Sequence, residues 1–170
     1  MPETIILNYR LTKELWSQFF EAHYSCDRAL KLRYFWGAIC IVIGSLGFGG
    51  FYGSRLIAGL MLATGFFGVL SKHLLIYKSL RTAGKHPFFG KELTVAISLT
   101  EISVRNEMSG YRQPWDNFVA YRKLAPGFLL YHDKNAFFFI PLVAMTAGNA
   151  NRLVQILTAA RVPDLAGKNI

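Results

Sequence analysis

Few residues of this chain combine the side-chain types and the spacing that catalysis requires. His23 and Cys26 are three residues apart, so both would share one face of a helix. An imidazole beside a thiol is an arrangement used in nucleophilic catalysis. However, two candidate ligands do not make a metal site, and nothing else obvious joins them. We expect an ordinary buried or interfacial pair, and we predict no metal site.

The other groups that could do chemistry are scattered along the chain. Cys40 lies inside an apolar run, where a thiolate would be costly. The remaining histidines fall in three different regions, at His73, His86 and His132. No paired carboxylates and no nucleotide-binding, metalloprotease or serine-hydrolase motif occur in the sequence. The sequence therefore predicts a protein that is not an enzyme, with no catalytic residues and no cofactor.

A basic balance is the most suggestive functional feature. Lys and Arg number 19 against 10 Asp and Glu, for a formal net charge of +9. Arg112, Arg122 and Lys123 fall on neighbouring predicted strands or their ends, where they would form one patch with Trp115 nearby. Such a patch beside an anionic membrane gains about 1 kcal/mol per surface Lys or Arg, so we predict binding of lipid headgroups or of an acidic protein.

A simpler explanation of these residues stays open. The charges would also satisfy the positive-inside rule and solubility without binding anything. Trp115 would then be a core or edge anchor. Nucleic acid is not expected as a partner, because the aromatic residues alternate into the predicted core and offer no stacking platform.

The elements that position these residues begin with a long apolar stretch. Residues 34–53 carry no charge, and as a helix they would be about 30 Å long, which is the thickness of a bilayer's hydrocarbon core. A second apolar run covers residues 56–77 if Lys72 extends its ammonium to the headgroups. We predict a transmembrane helical hairpin over residues 34–77. A hairpin buried in a soluble core is the alternative, but a chain of 170 residues could hardly bury two such helices.

The distribution of Lys and Arg predicts the orientation of this hairpin. Basic residues flank it on one side, at Arg28, Lys31, Arg33, Lys72, Lys78, Arg81, Lys85 and Lys91. The turn between the spans holds only Arg55. Because positive charges stay on the cytoplasmic side, both termini are predicted to be cytoplasmic in a multi-pass protein.

Small residues recur every four positions on both predicted spans. The rows comprise Ser45, Gly49 and Gly53 on the first span, and Gly59 with Ala63 and Thr64 with Gly68 on the second. Such rows let helix backbones approach closely. They would serve the hairpin itself, a protein partner or a homo-oligomer. The alternative is that glycine is simply frequent in membrane helices.

Residues 1–33 are predicted as a cytoplasmic strand and an amphipathic helix. Thr4 to Tyr9 reads as the strand, and the helix runs from about Thr12 to Leu30 with Thr12 as its N-cap. The polar face of this helix mixes acids with bases. Packing against the C-terminal domain is therefore favoured over lying in the membrane interface.

Beyond a basic linker, residues 78–91, the hydrophobic period changes to two. This pattern over residues 92–163 predicts five or six short antiparallel strands. A final helix from Asn149 to Arg161, capped by Asn149 and stopped by Pro163, follows them. Residues 164–170 form a tail. The fold class is therefore an α+β membrane protein, in which a two-helix transmembrane hairpin precedes a small antiparallel β domain with a C-terminal helix.

The order of these parts is similar to a known family. The hairpin is followed by a strand region in which Arg112–Phe118 reads RQPWDNF, and by an aromatic strand, Phe137–Pro141, that reads FFFIP. The chain resembles the YcxB-like family of bacterial membrane proteins, whose C-terminal domain is pleckstrin-homology-like (PH-like). Where that family typically has a basic residue after the Ile-Pro step, this chain has Leu142 and Val143. The resemblance implies a PH-like fold and a bacterial inner-membrane location, and it supplies no catalytic residues.

Taken together, these features predict a non-enzymatic, membrane-anchored interaction or scaffold protein, accessory to a membrane protein assembly. The alternative is anionic-lipid headgroup sensing through Arg112, Arg122 and Lys123. The expected partners are membrane lipid, a protein or a second copy bound through the hairpin, and no nucleic acid.

Overall fold

The structure, a computed structural model, describes residues 4–51, 54–86, 88–133 and 136–165. The chain divides into two compact units. We call His23–Arg81 the helical unit, and Met1–Ala22 together with Thr82–Ile170 the sheet unit. Within the described residues the structure is α+β, with four α-helices and two antiparallel sheets, as the sequence predicts at this level.

The first sheet of the sheet unit combines the N-terminal strand with three later ones. In the described ranges its antiparallel order is β1 (Ile5–Arg10), β2 (Glu92–Ile97), β3 (Glu101–Arg105) and β4 (Gly110–Pro114). Inward-facing side chains alternate with outward-facing ones along each strand. On β1, β2 and β3 the buried ones are Ile5, Leu7, Leu93, Val95, Ile97, Ile102 and Val104, whereas the inward-facing Tyr9 of β1 and Tyr111 and Gln113 of β4 are half-buried. Period-two alternation therefore places one apolar face toward the core.

The second sheet is more deeply buried. Within the described residues it consists of β5 (Ala120–Leu124), β6 (Gly127–Tyr131) and β7 (Phe137–Pro141), with β6 in the centre. Every residue of β6 is buried. Its first residue, Gly127, has φ of 153°, and a Cβ there would collide with the carbonyl oxygen of Ile140, so only glycine fits. Residues 115–117, predicted partly as strand, form a 3₁₀ turn instead.

Two helices contribute to this unit's core. α1 spans Lys13–Cys26 and places Phe19 fully inside, while α4 spans Ala147–Ala159. The apolar face predicted for this helix comprises Leu153, Ile156, Leu157 and Ala160. The first three are buried, whereas Ala160 is half-buried and is the C-cap of α4. Its N-cap is Thr146, whose side chain accepts a hydrogen bond from the Asn149 backbone N–H, so the prediction of Asn149 as the cap is wrong.

The predicted N-terminal helix also ends earlier than expected. α1 stops at Cys26 instead of Leu30, because Asp27 is extended and its carboxylate accepts a hydrogen bond from the Ala29 backbone N–H at 2.8 Å. Asp27 is thus the N-cap of the next helix. Carboxylates are favoured at this position, where helix N–H groups lack partners.

The helical unit contains α2 (Arg28–Phe48) and α3 (Arg55–Ala83). Both helices are longer at their charged ends than the predicted spans, and α3 continues through the first part of the predicted linker. Of the helices described, these two are long and apolar enough to cross a membrane. Only 17% and 11% of their most apolar windows are buried, so their large side chains mostly face outward.

Candidate functional site

The two long helices meet at a seam of small residues. A Cβ built at Gly65 would lie 2.7 Å from the Gly37 carbonyl oxygen, and one built at Gly44 would lie 2.9 Å from the Ala58 carbonyl oxygen. Gly68 closes the seam at the charged end, where an added Cβ would lie 2.9 Å from the Arg33 carbonyl oxygen. We call Gly37, Gly44, Ala58, Gly65 and Gly68 the glycine seam. Nothing larger than hydrogen fits at its glycines, so the backbones themselves are in contact.

The glycine seam differs from the predicted rows of small residues. Of those rows only Gly68 lies in it. The described remainder lies elsewhere, at Ser45, Gly49, Gly59, Ala63 and Thr64, and Gly53 lies outside the described residues. Ser45 and Thr64 are exposed, and their hydroxyls donate to carbonyls of their own helices.

The sequence signal that the predicted rows missed is a spacing of seven residues between small side chains. Gly37 and Gly44 are seven residues apart on α2, and Ala58 and Gly65 are seven apart on α3. A seven-residue repeat keeps one face of a helix against its neighbour over two turns. A row with a spacing of four drifts around the helix more quickly, so it leaves the contact sooner when two helices cross at a shallow angle.

The residues of the predicted basic patch lie on two different sheets. Arg112 lies on β4 in the first sheet, whereas Arg122 and Lys123 lie on β5 in the second. Arg122 is only 7% exposed, so its guanidinium has little surface to offer a headgroup. Lys123 is exposed, and its ammonium lies 5.8 Å from the centroid of the Phe128 ring.

Trp115 is a core residue. It is 3% exposed, and its indole Nε1–H donates to the Ser98 carbonyl oxygen at 3.1 Å. Its ring packs near Phe118, with centroids 5.7 Å apart. The buried indole with its satisfied donor corresponds to the anchor explanation and leaves no accessible face for a ligand.

Arg112 belongs instead to an outward-facing row across the first sheet. Strand register aligns Ile6, Ala96, Ser103 and Arg112 side by side. The Arg112 guanidinium lies 3.7 Å from the Glu101 carboxylate, and Ile6 is 64% exposed. We call these four residues the outer row. It combines an exposed aliphatic side chain with a charged one that is paired with a carboxylate of the neighbouring strand.

The groups that could do chemistry do not converge in the described parts of the chain. No group of three or more His, Cys, Asp or Glu residues there could hold a metal ion. His132 Nδ1 lies 3.1 Å from the Asn117 carbonyl oxygen, which fits a turn contact. Burial lowers the pKa of His86, whose ring lies among Trp16 and Phe88.

Two tyrosines of the sheet unit are perturbed for structural reasons. Burial raises the pKa of Tyr111 to about 12. The pKa of Tyr9 is raised mainly by burial and to a smaller extent by the nearby Tyr111. The Tyr9 hydroxyl donates to the Phe139 carbonyl oxygen at 3.1 Å and so joins β1 to β7. A neutral phenol in this setting bridges the two sheets and is not poised to transfer protons.

Comparison with known families assigns part of the sheet unit. Residues 97–157 match the family model described as YcxB-like protein. The resemblance to the YcxB-like family is therefore confirmed over this segment, which runs from the end of β2 into α4. No curated protein and no solved structure matches the chain.

Proposed function

We propose that this chain is a non-enzymatic, membrane-anchored interaction protein of the bacterial inner membrane. α2 and α3 cross the membrane as a hairpin, with both termini in the cytoplasm, and the sheet unit binds another membrane protein. The observation that carries the proposal is the helical unit itself, in which two long apolar helices pack backbone to backbone and direct their large side chains outward.

The exposed side chains of the helical unit support insertion. Trp36, Phe67 and Leu56 are 56%, 67% and 74% exposed, and similar residues surround both helices. Soluble proteins rarely expose apolar patches larger than a few hundred Å². In a bilayer the same surface meets lipid tails and costs nothing, while the intrahelical hydrogen bonds satisfy the backbone.

Charge placement supports the orientation. Arg55 is the one basic residue at the turn end, whereas Lys and Arg are concentrated at the other ends of both helices. This asymmetry favours cytoplasmic termini. A PH-like fold for the sheet unit is supported by its two antiparallel sheets and closing helix, as the YcxB-like resemblance implies.

The interaction surface that we favour is the outer row. It presents Ile6 and Arg112 on a face that the core does not use. Lipid sensing by the same unit has less support, because the burial of Arg122 leaves only Arg112 and Lys123 of the predicted patch exposed. A partner with an apolar and acidic surface would complement the outer row.

Membrane anchoring is tested by extraction and by labelling. Alkaline carbonate should leave the protein in the membrane fraction. In a Cys26→Ala, Cys40→Ala background, Ser54→Cys should react with an impermeant maleimide on intact cells, and Met108→Cys should react only after lysis. Release by carbonate, or labelling in the reverse pattern, would overturn the proposed anchoring or its orientation.

The interaction is tested by photocrosslinking in cells. A photoreactive residue in place of Ile6 or Ser103 should give a discrete adduct with one protein. The matched control is Val143, which is 88% exposed but lies outside the outer row. Adducts of equal yield from all three positions, or none from the outer row, would contradict the proposed surface.

A further inference from the structure

A hollow of about 390 Å³ opens within the helical unit, near the ends of α2 and α3 that carry the basic residues. We propose that it binds the phosphate-bearing headgroup of an anionic glycerophospholipid. The inference rests on the proposed membrane insertion, and it assigns a ligand site whose described lining belongs entirely to the helical unit.

Small residues of α3 and the first turns of α2 border part of this hollow. Gly68 and Ser71 line it from α3, and Ser71 turns its hydroxyl inward to the Gly68 carbonyl oxygen at 2.7 Å. Leu30 lines it from α2, whose first turn begins after the Asp27 cap.

The charge of the hollow is positive. Lys31 and Lys72 bring two ammonium groups to it, His73 also lines it, and none of the described lining residues is Asp or Glu. Lys72 Nζ donates to Ser25 Oγ at 2.9 Å, which holds the ammonium at the hollow. Ammonium and hydroxyl donors around one space are suited to a phosphate, whose oxygens accept charge-assisted hydrogen bonds.

The position of the hollow along the helices matches a membrane interface. Since an α-helix rises about 1.5 Å per residue, Lys72 lies about 26 Å along α3 from Arg55. The hydrocarbon core is about 30 Å thick. With Arg55 at one interface, the Lys72 backbone lies about 4 Å short of the opposite one, a distance that a lysine side chain spans. Tyr24 and Tyr34 line the hollow as interfacial aromatic residues do.

The remaining lining favours a lipid over a free anion. Leu30, Val69 and the Tyr34 ring add apolar surface beside the lysines. The glycerol and upper acyl chain of a phospholipid would cover this surface, whereas inorganic phosphate would leave it in contact with water. Basic pockets between membrane helices on the cytoplasmic side are known to bind anionic headgroups.

The test uses the full-length protein, delipidated in mild detergent and titrated with phosphatidylglycerol or phosphatidylcholine under native mass spectrometry. We expect the wild type to prefer phosphatidylglycerol on the order of tenfold. Lys31→Gln with Lys72→Gln should remove the preference. Lys78→Gln with Arg81→Gln is the matched control, because it also removes two positive charges, from the basic end of α3 but outside the lining of the hollow, and it should keep the preference within about twofold.

Each result decides the inference. Equal binding of both lipids by the wild type, or an equal loss in the control variant, would overturn it. Displacement of phosphatidylglycerol by excess inorganic phosphate would show that the glycerol and acyl chain add nothing to binding. The hollow would then be a free-phosphate site, and the lipid assignment would be overturned. Should the Lys31, Lys72 variant not fold, a photoreactive residue replacing Tyr34 must still crosslink phosphatidylglycerol. Failure of the proposed membrane anchoring is distinguishable from failure of the lipid site, because the wild type would then be released by carbonate.

Discussion

In the helical unit two helices meet backbone to backbone, whereas in the sheet unit two sheets and two helices meet through large side chains. Gly37 and Gly65 leave no room for even a Cβ at the contact. Phe19, Phe128 and Leu157, by contrast, are all fully buried in one continuous core. The same chain thus uses two opposite ways of packing.

This difference matches the surroundings that we propose for each unit. In water, burying apolar area contributes about 25 cal/mol per Å², so a core of large side chains is stabilising. Between helices in lipid that gain disappears, because lipid tails are as apolar as leucine, and close backbone packing remains as the main attraction. The pattern of packing in the helical unit is therefore the pattern expected of its proposed environment.

Truncating a core aromatic should break the sheet unit with the largest effect. Phe128→Ala removes a fully buried ring at the centre of the second sheet, and we expect a loss of about 3–5 kcal/mol. Amide hydrogen exchange of β5, β6 and β7 in the full-length protein measures this loss. Val143→Ala, at a site 88% exposed, should change exchange by less than about 0.5 kcal/mol. Similar losses in both variants would refute a side-chain-packed core.

Enlarging a seam glycine should break the helical unit. Gly65→Leu forces a side chain against the Gly37 carbonyl oxygen and the Ile41 backbone, and we expect a loss of about 1–3 kcal/mol. Gly59→Leu is the matched control, because a Cβ there meets only the Phe48 ring at 4.0 Å and the gain in helix propensity is the same. Hydrogen exchange of α2 and α3 in nanodiscs reports the outcome. Equal tolerance of the two variants would show that the seam does not hold the helices.

Periodicity predicted most of the architecture. The alternation in β2 and β3 and the apolar run of α2 correctly indicated strands and a long helix, because each pattern records which face is covered. Element ends were less accurate, since they depend on single hydrogen bonds. One carboxylate contact at Asp27 ended α1 four residues before the predicted Leu30.

The contacts between elements were harder to predict. Sequence alone could not tell which of many glycines meet, because the crossing of α2 and α3 decides whether a four- or seven-residue spacing is used. It also placed Arg122 on the surface, although its position in β5 beside the covered strand β6 buries it. The hollow between Lys31 and Lys72 went unrecognised, because its residues are 41 positions apart and only the packed helices bring them together.

High pH should weaken the sheet unit through its buried phenols. The pKa of a tyrosine in an unfolded chain is about 10, and burial raises that of Tyr111 to about 12. Below pH 10 both states hold the proton and stability is complete. As pH rises from about 10 to 12 the unfolded chain loses protons that the folded unit keeps, so the free energy of unfolding falls. For Tyr111 the decrease is on the order of 1–2 kcal/mol after discounting for its partial exposure.

Tyr111→Phe separates this contribution from other alkaline effects. The variant should show a shallower decline in denaturant stability between pH 10 and 12 than the wild type, and nearly the same stability at pH 7. Tyr9→Phe should flatten the decline as well, but it should also cost about 1 kcal/mol at neutral pH, because the bond to the Phe139 carbonyl oxygen is lost. Parallel pH curves for wild type and Tyr111→Phe would contradict the burial of that phenol.

The smallest effect concerns the start of α4. Thr146→Ala removes the side chain that accepts the Asn149 N–H, and we expect a loss of about 1 kcal/mol, visible as faster exchange in the first turn of α4. Asn149→Ala should cost less than about 0.5 kcal/mol, since Asn149 contributes its backbone N–H to the cap and alanine has the higher helix propensity. The helical unit offers the parallel case, because Asp27→Ala removes the cap of α2 and should again cost about 1 kcal/mol. Equal losses of stability from Thr146→Ala and Asp27→Ala would mean that the two units differ in how their elements pack but agree in how their helices begin. A larger loss from Asn149→Ala than from Thr146→Ala would contradict the cap described for α4.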